Sequence, residues 1–479
     1  MSAMTLLTLL GGLGLFLYGI KAMGDGLEQA AGQRMKRLLE VLTQNKLMAV
    51  LVGVLVTGVI QSSSATTVMV VGFVNAGLLP LSKAVGVIMG ANIGTTVTSL
   101  MLSVELNFGI LFAALGGACM LAGNRSSFKT AGQIMMGLGV LFVGMDTMTA
   151  AMEPLRDWQG FRDMMAMASN PVVGVLVGLG VTALLQSSSA SVGILQALAG
   201  TGAVSLHTSL FILFGQNIGT CVTALMASVG ANRTAKRAAV VHLLFNVLGT
   251  AFFIVIALLL PLAEWIEQLA GDNLRLQIAF AHILFNVTTT LLLLPASSLL
   301  EKLAYLIVRG EDPQGEPMRL QYFDSRLFST PPVAVQQLFR EVLRMADIVL
   351  ANYTFALQYY FAPKDQPVEE FKNREQVIDY LNAEITQNLI EVRGLTLRPA
   401  DVHLAGSLFH VVNDLERIGD HSTNIVEIGT SRKAEKTKFT NKAEREIEEL
   451  SALVTQMLQK SLHILRNQIT DVEIIGEVF

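Results

Sequence analysis

Gln61, Ser62, Ser63 and Ser64 stand in a row, and the same four residue types return at Gln186, Ser187, Ser188 and Ser189. Thr66 and Thr67 follow the first set and Ser191 the second, so six and five hydrogen-bonding side chains crowd into otherwise apolar sequence. An unpaired polar group in an apolar medium costs roughly 1 to 3 kcal/mol. These side chains must therefore face one another, water or a ligand. Where a helix starts at such a place, its first N–H groups and the positive end of its dipole add to the hydroxyls. Together they suit an anion without any Lys or Arg, and a carrier that lacks a fixed cation can let the anion go again. Serines also allow close helix packing in lipid, but two copies, each preceded by Gln, favour the binding role.

A second polar set is NIGTxVT: Asn92, Thr95, Thr96 and Thr98, matched by Asn217, Thr220 and Thr223. Neutral oxygens beside a glycine suit a small, hard cation. Asn92, Thr95, Thr96, Asn217 and Thr220, with Thr66 and Ser191, form the candidate cation residues, for which helix packing is the rival role. HLLFNV at His242 and HILFNV at His282 echo each other 40 residues apart, and a histidine on an apolar helix reads first as a packing residue. Lys21 and Asp146 near helix ends read as interfacial snorkelling. Cys119 and Cys221 lack zinc or redox spacing. No GxxxxGK[ST], HExxH or GxSxG motif is present, so neither an ATP-driven pump nor a hydrolase has visible machinery and the chain reads as a non-enzyme.

The elements that carry these residues are membrane helices. Of 479 residues, 52% are hydrophobic and 15% charged, against about 25% charged in soluble domains. Stretches near 4–22, 81–103, 107–123, 130–148, 206–228, 238–260 and 278–298 predict seven spans. The N-terminus lacks the features of a signal peptide and reads as the first of them. Residues 47–79 and 171–204 each hold two shorter apolar runs interrupted by QSSSA, which predicts re-entrant hairpins.

Sliding the sequence by 125 residues superposes GLG at Gly12 on GLG at Gly137, Gly19 on Gly144, QSSSA on QSSSA, and GANIGTTVTSLM from Gly90 on GQNIGTCVTALM from Gly215. The chain is therefore duplicated. With three spans per copy, the second copy is expected upside down. Lys and Arg alternate accordingly: ten lie in loops 21–46, 124–129 and 232–237, and three in loops 104–107, 149–171 and 261–277. By the positive-inside rule the N-terminus is expected outside and the C-terminus inside, the architecture of many secondary transporters.

Only 25 of the 72 Asp, Glu, Lys and Arg residues fall in the first 300 positions. The rest follow RGEDPQGEPMRL, a linker composition, in a stretch with helical periodicity near 333–360, 368–392, 399–428 and 440–468. A four-helix cytoplasmic domain is expected there. Glu375 with Asp379 and Glu416 with Asp420 are i, i+4 pairs, each on one helix face, and the two faces together could hold a divalent metal. A net charge of −4 without a basic face gives no reason to expect nucleic acid.

Paired QSSS motifs in repeats of this length resemble the type II sodium-dependent phosphate cotransporter family over about residues 5–300. NDLERIGDHSTNI from Asn413 and REQVIDYLNAEI from Arg374 resemble PhoU-like helical domains. The resemblance implies phosphate and sodium as substrates, phosphate contacts at Gln61 to Ser64 and Gln186 to Ser189, and sodium as the coupling ion for the cation residues. The full expectation is an all-α inner-membrane protein, multi-pass in the bilayer and able to form a homodimer. It comprises a transport domain over 1–308, with repeats at about 5–105 and 130–230 and two further helices at 238–298, a linker over 309–330 and a PhoU-like regulatory tail over 331–479. Phosphate export, carriage of a related oxyanion and a non-transporting phosphate sensor are the alternatives.

Overall fold

The computed structural model describes residues 3–40, 45–104, 108–122, 126–311, 318–329, 331–362, 368–395, 397, 399–435 and 439–467. Among them every regular element is helical and none is a strand. The chain divides into two compact units, Met1–Asp312 and Pro313–Phe479.

The first unit begins with α1 (Ala3–Glu40), α2 (Lys46–Ile60), α3 (Ser63–Asn75), α4 (Leu81–Leu102), α5 (Gly109–Ala122) and α6 (Ser126–Met152). Next come α7 (Gln159–Ala168), α8 (Pro171–Leu185), α9 (Ser188–Gly200), α10 (Leu206–Gly219) and α11 (Cys221–Ala227). It closes with α12 (Arg233–Leu259), α13 (Leu262–Ala270), α14 (Leu274–Leu293) and α15 (Ser297–Ile307). Six described stretches are long and apolar enough to cross a membrane: Ala3–Ala31, Leu81–Leu102, Ser127–Asp157, Leu206–Ala227, Arg233–Leu259 and Leu274–Leu293.

The sequence predicts a seventh span at 107–123. There the described part, α5, has 14 residues, about 21 Å of helix against about 30 Å of hydrocarbon, and is shorter than the six stretches above. Residues 105–107 and 123–125 on its flanks lie outside the described residues. The stretch 149–171, predicted as a loop, contains α7, and α7 meets α8 at a bend of 108°. α7, α13 and α15 escape a search for apolar length because each is short, with polar residues along one side.

Glycines set the close helix contacts. α1 and α6 run antiparallel, with a Cβ on Gly12 meeting Gly144 O at 3.1 Å and one on Gly19 meeting Gly137 O at 2.7 Å. Any larger residue would push these backbones apart. The same device joins α2 to α4 through Gly53 and Gly90, and α8 to α10 through Gly178 and Gly215. These are equivalent positions of the repeat. Phe211, Phe214, Phe253 and Phe285 fill the core beside them, Phe214 stacking on Phe285 at 5.5 Å. α15 is tied down at both ends: Lys46 Nζ donates to Ser297 Oγ at 2.8 Å, and Arg237 donates to Val308 O and Gly310 O while its guanidinium lies over the Tyr305 ring.

The second unit contains α16 (Pro331–Phe361), α17 (Val368–Arg393), α18 (Pro399–Glu435) and α19 (Asn441–Asn467), at the places the periodicity predicts. Ala356, Tyr359, Phe371 and Val426 form a core among the first three. α19 buries Leu462 alone among its described residues. Residues 318–329, predicted as linker, fold against α16: Glu341 is fully buried, and its carboxylate accepts from Tyr322 N at 2.5 Å and Phe323 N at 3.2 Å. Residues 312–317 and 330 lie outside the described residues.

Candidate functional site

α2 stops at Gln61 and α8 at Gln186. Both glutamines have positive φ, 58° and 52°, alone among the described non-glycine residues. A left-handed C-cap turns the chain out of its helix while its N–H still closes the last turn, here onto Thr57 O and Thr182 O. Ser62 and Ser187 then take extended conformations and cap α3 and α9, their Oγ atoms accepting from Ala65 N at 3.1 Å and Ala190 N at 3.2 Å. The reversal is sharp. Thr57 Oγ1 donates to Thr66 Oγ1 at 3.0 Å, and Thr182 Oγ1 to Ser191 Oγ at 2.7 Å, where nine residues of continuous helix would separate them by about 13 Å.

The two turns meet. Ser63 Oγ and Ser188 Oγ lie 3.3 Å apart, both side chains buried, and each serine is the first residue of its helix. The N-termini of α3 and α9 therefore converge on one hydroxyl pair, with Ser64 and the buried Ser189 one residue further in. First-turn N–H groups have no acceptor within their own helix. Hydroxyls, free N–H groups and two positive helix ends at one buried point can solvate an oxyanion.

The glutamines differ. Gln61 is 6% exposed, its Oε1 accepting from Thr98 Oγ1 at 2.8 Å and its Nε2 donating to Gly58 O. Gln186 is exposed, and its Nε2 points to Met226 Sδ at 3.8 Å.

The helices that carry the NIGT residues pack against the hairpins, a Cβ on Gly94 meeting Thr57 and one on Gly219 meeting Thr182. Thr95, Thr96 and Thr220 donate to Ala91 O, Ile93 O and Gln216 O of their own helices at 3.0, 2.7 and 3.0 Å. Their hydrogens are thus engaged, and their oxygens remain as neutral acceptors, which is what a hard cation needs. Asn92 Oδ1 faces His242 Nε2 at 3.3 Å and Asn217 Oδ1 faces His282 Nε2 at 3.2 Å. Sequence reasoning set both histidines aside. The HxxFN echo was the signal that could have placed them, along with Asn246 and Asn286. The repeat offset could likewise have placed Thr57 and Thr182.

In the second unit Glu375, Asp379, Glu416 and Asp420 do come close. Burial pushes the Glu375 carboxyl above its usual range, with Asp379, Asp420 and Glu416 adding to the rise. Burial and Asp420 likewise raise Asp379 and Glu416. Yet among the described residues no group of three or more His, Cys, Asp or Glu side chains is spaced to hold a metal ion. Glu375 Oε2 accepts from Asn352 Nδ2 at 3.0 Å.

Six membrane-length helices among the described residues, with two polar helix breaks that meet inside the unit, define a multi-pass membrane protein. The chain belongs to the Na+/Pi-cotransporter family, whose model matches residues 15–150 and 157–271, and the PhoU domain model matches residues 342–429. It is 33% identical over 294 residues, 61% of this chain and 95% of the relative, to "Uncharacterized protein YqeW" of Bacillus subtilis (strain 168). It is 27% identical over 436 residues, 84% of this chain and 79% of the relative, to "Putative inorganic phosphate export protein YjbB" of Salmonella typhimurium. It is 33% identical over 125 residues, 24% of this chain and 17% of the relative, to "Sodium-dependent phosphate transport protein 2A" of Rattus norvegicus. No solved structure matches.

Proposed function

We propose that this protein moves inorganic phosphate across the cell membrane coupled to sodium, by alternating exposure of one central site. The observation that carries the reading is the Ser63–Ser188 junction, where two equivalent helix starts meet at 3.3 Å. Phosphate binds at Gln61 to Ser64 and Gln186 to Ser189. Sodium binds among Thr66, Asn92, Thr95, Thr96, Ser191, Asn217 and Thr220. The two repeats are inverted and the QSSS hairpins re-entrant. The antiparallel glycine contacts of α1 and α6 support this, since Gly12 meets Gly144 and Gly19 meets Gly137 although the sequence repeat equates Gly12 with Gly137. That reciprocal exchange is what a twofold axis produces. The N-terminus lies outside, and the PhoU domain is a cytoplasmic regulator. A tenfold sodium gradient supplies about 1.4 kcal/mol per ion and about 100 mV adds about 2.3 kcal/mol per charge.

Direction has a second reading, net export. It is favoured by the YjbB relative, named for export and similar along 84% of this chain, whereas the rat relative covers 24%. Labelled phosphate flux in proteoliposomes, with sodium imposed on either side, tests both. Uptake that follows the sodium gradient is expected. Flux indifferent to sodium would remove the coupling, and no phosphate flux in either direction would remove the transport reading.

A further inference from the structure

Two repeats of different spacing meet in this unit. Asn92 and Asn217 occupy one position of the 125-residue repeat, whereas His242 and His282 belong to the HxxFN echo at 40 residues on α12 and α14. Each histidine finds one asparagine: His242 Nε2 lies 3.3 Å from Asn92 Oδ1, and His282 Nε2 lies 3.2 Å from Asn217 Oδ1. Accidental packing would not pair them so evenly. All four side chains are at most 5% exposed.

The donor can be assigned. Asn92 Nδ2 donates to Ile88 O at 2.9 Å, so its carbonyl oxygen faces the ring and the imidazole must carry its hydrogen on Nε2. The asparagine one turn on bonds to the histidine's main-chain carbonyl. Asn246 Nδ2 donates to His242 O at 3.1 Å and Asn286 Nδ2 to His282 O at 2.9 Å. The two halves differ in one respect. The Asn92 amide has its own anchor on Ile88 and a further donor, Asn246 Nδ2, at 3.4 Å. Asn217 Nδ2 is buried without a partner, so His282 alone fixes which end of that amide faces inward.

We infer that His242 and His282 are positioning residues for the coupling cation, each holding the NIGT asparagine with its carbonyl oxygen toward the ion. A flipped carboxamide would present N–H groups and repel a cation. The inference rests on the sodium role of Asn92 and Asn217 proposed above. It predicts unequal effects: the half that depends on one donor is the more sensitive.

The test is the sodium activation curve of phosphate flux in proteoliposomes of the full chain. His282→Ala should raise the half-saturating sodium concentration about 5- to 10-fold, the worth of one ordinary hydrogen bond, and His242→Ala should raise it less. The phosphate half-saturation at saturating sodium should stay at the wild-type value. His282→Gln, whose amide can donate again, should restore the sodium curve, and a purely packing histidine predicts no such rescue. In the wild-type chain, 15N resonances of two neutral Nε2–H imidazoles should shift with sodium and not with potassium, a measurement that needs no variant to fold. A sodium-dependent wild type with unchanged variant curves, or with imidazole resonances indifferent to sodium, overturns the positioning role alone. A wild type whose flux ignores sodium overturns the coupling reading, and this inference with it.

Discussion

The side-chain oxygen of Gln61 accepts a 2.8 Å hydrogen bond from Thr98, while the equivalent pair 125 residues later stands apart. Thr223 donates to Thr220 O at 2.9 Å and Gln186 turns toward Met226. Inside each hairpin the bonds correspond, Thr57 with Thr66 and Thr182 with Ser191. The difference lies in the following helix, continuous as α4 but interrupted at Thr220 between α10 and α11. Equivalent chemistry in unequal arrangements is what one state of a two-state carrier presents.

If the halves exchange roles, each glutamine–threonine pair closes in one state. In a chain with Cys119→Ser and Cys221→Ala, Gln61→Cys with Thr98→Cys should cross-link readily, and Gln186→Cys with Thr223→Cys should cross-link only as the other state is populated. Either cross-link should stop flux until reduced, and sodium with phosphate should shift the two yields in opposite directions. Yields that ignore both ligands would end the exchange model.

Ser63→Ala or Ser188→Ala removes one hydroxyl from a dehydrated anion. A hydrogen bond to a charged group is worth about 1.5 to 3 kcal/mol, so phosphate half-saturation should weaken about 10- to 150-fold. A packing serine behaves differently, because Ala is also small. Phosphate affinity unchanged by alanines throughout Ser62 to Ser64 and Ser187 to Ser189 would move the anion site elsewhere.

If the repeats are inverted, the exposed residues Asp157 and Val229 lie on opposite sides of the membrane. Single cysteines at these positions should react with an impermeant thiol reagent from outside and inside respectively. Labelling of both from one side would contradict inversion.

Burial and the carboxylates facing it across α17 and α18 raise Glu375 above its ordinary 4.5. The folded tail then binds a proton more tightly than the unfolded chain, so its stability falls as pH rises from the ordinary value through the raised one. Glu375→Gln removes that ionisation and keeps an oxygen for Asn352. Hydrogen exchange of α17 and α18 should be slower in the variant than in the wild type near neutral pH, with the gap closing toward pH 4.5. A gap that widened as pH fell would reverse the sign of the argument.

Length of apolar runs, local polar clusters and a repeat offset are properties of neighbouring residues. For that reason the QSSS turns, most spans, the duplication and the four tail helices were legible in the sequence. Helix geometry and the cost of bare polar groups in lipid act within a few residues, and they put Gln61 and Gln186 at helix ends wherever the rest of the chain goes. α5 shows the limit: its described residues are apolar but number 14, and apolarity alone does not give the length of a helix. The acidic tail cluster shows another, since i, i+4 spacing shares a face without fixing the distance to the facing helix. Only the tertiary structure decided that Ser63 meets Ser188, that His242 lies against Asn92 across 150 residues, and that Gln61 is sealed while Gln186 is exposed. Those contacts depend on which helices cross, and at what glycine, which is settled by close packing of backbones distant in the chain.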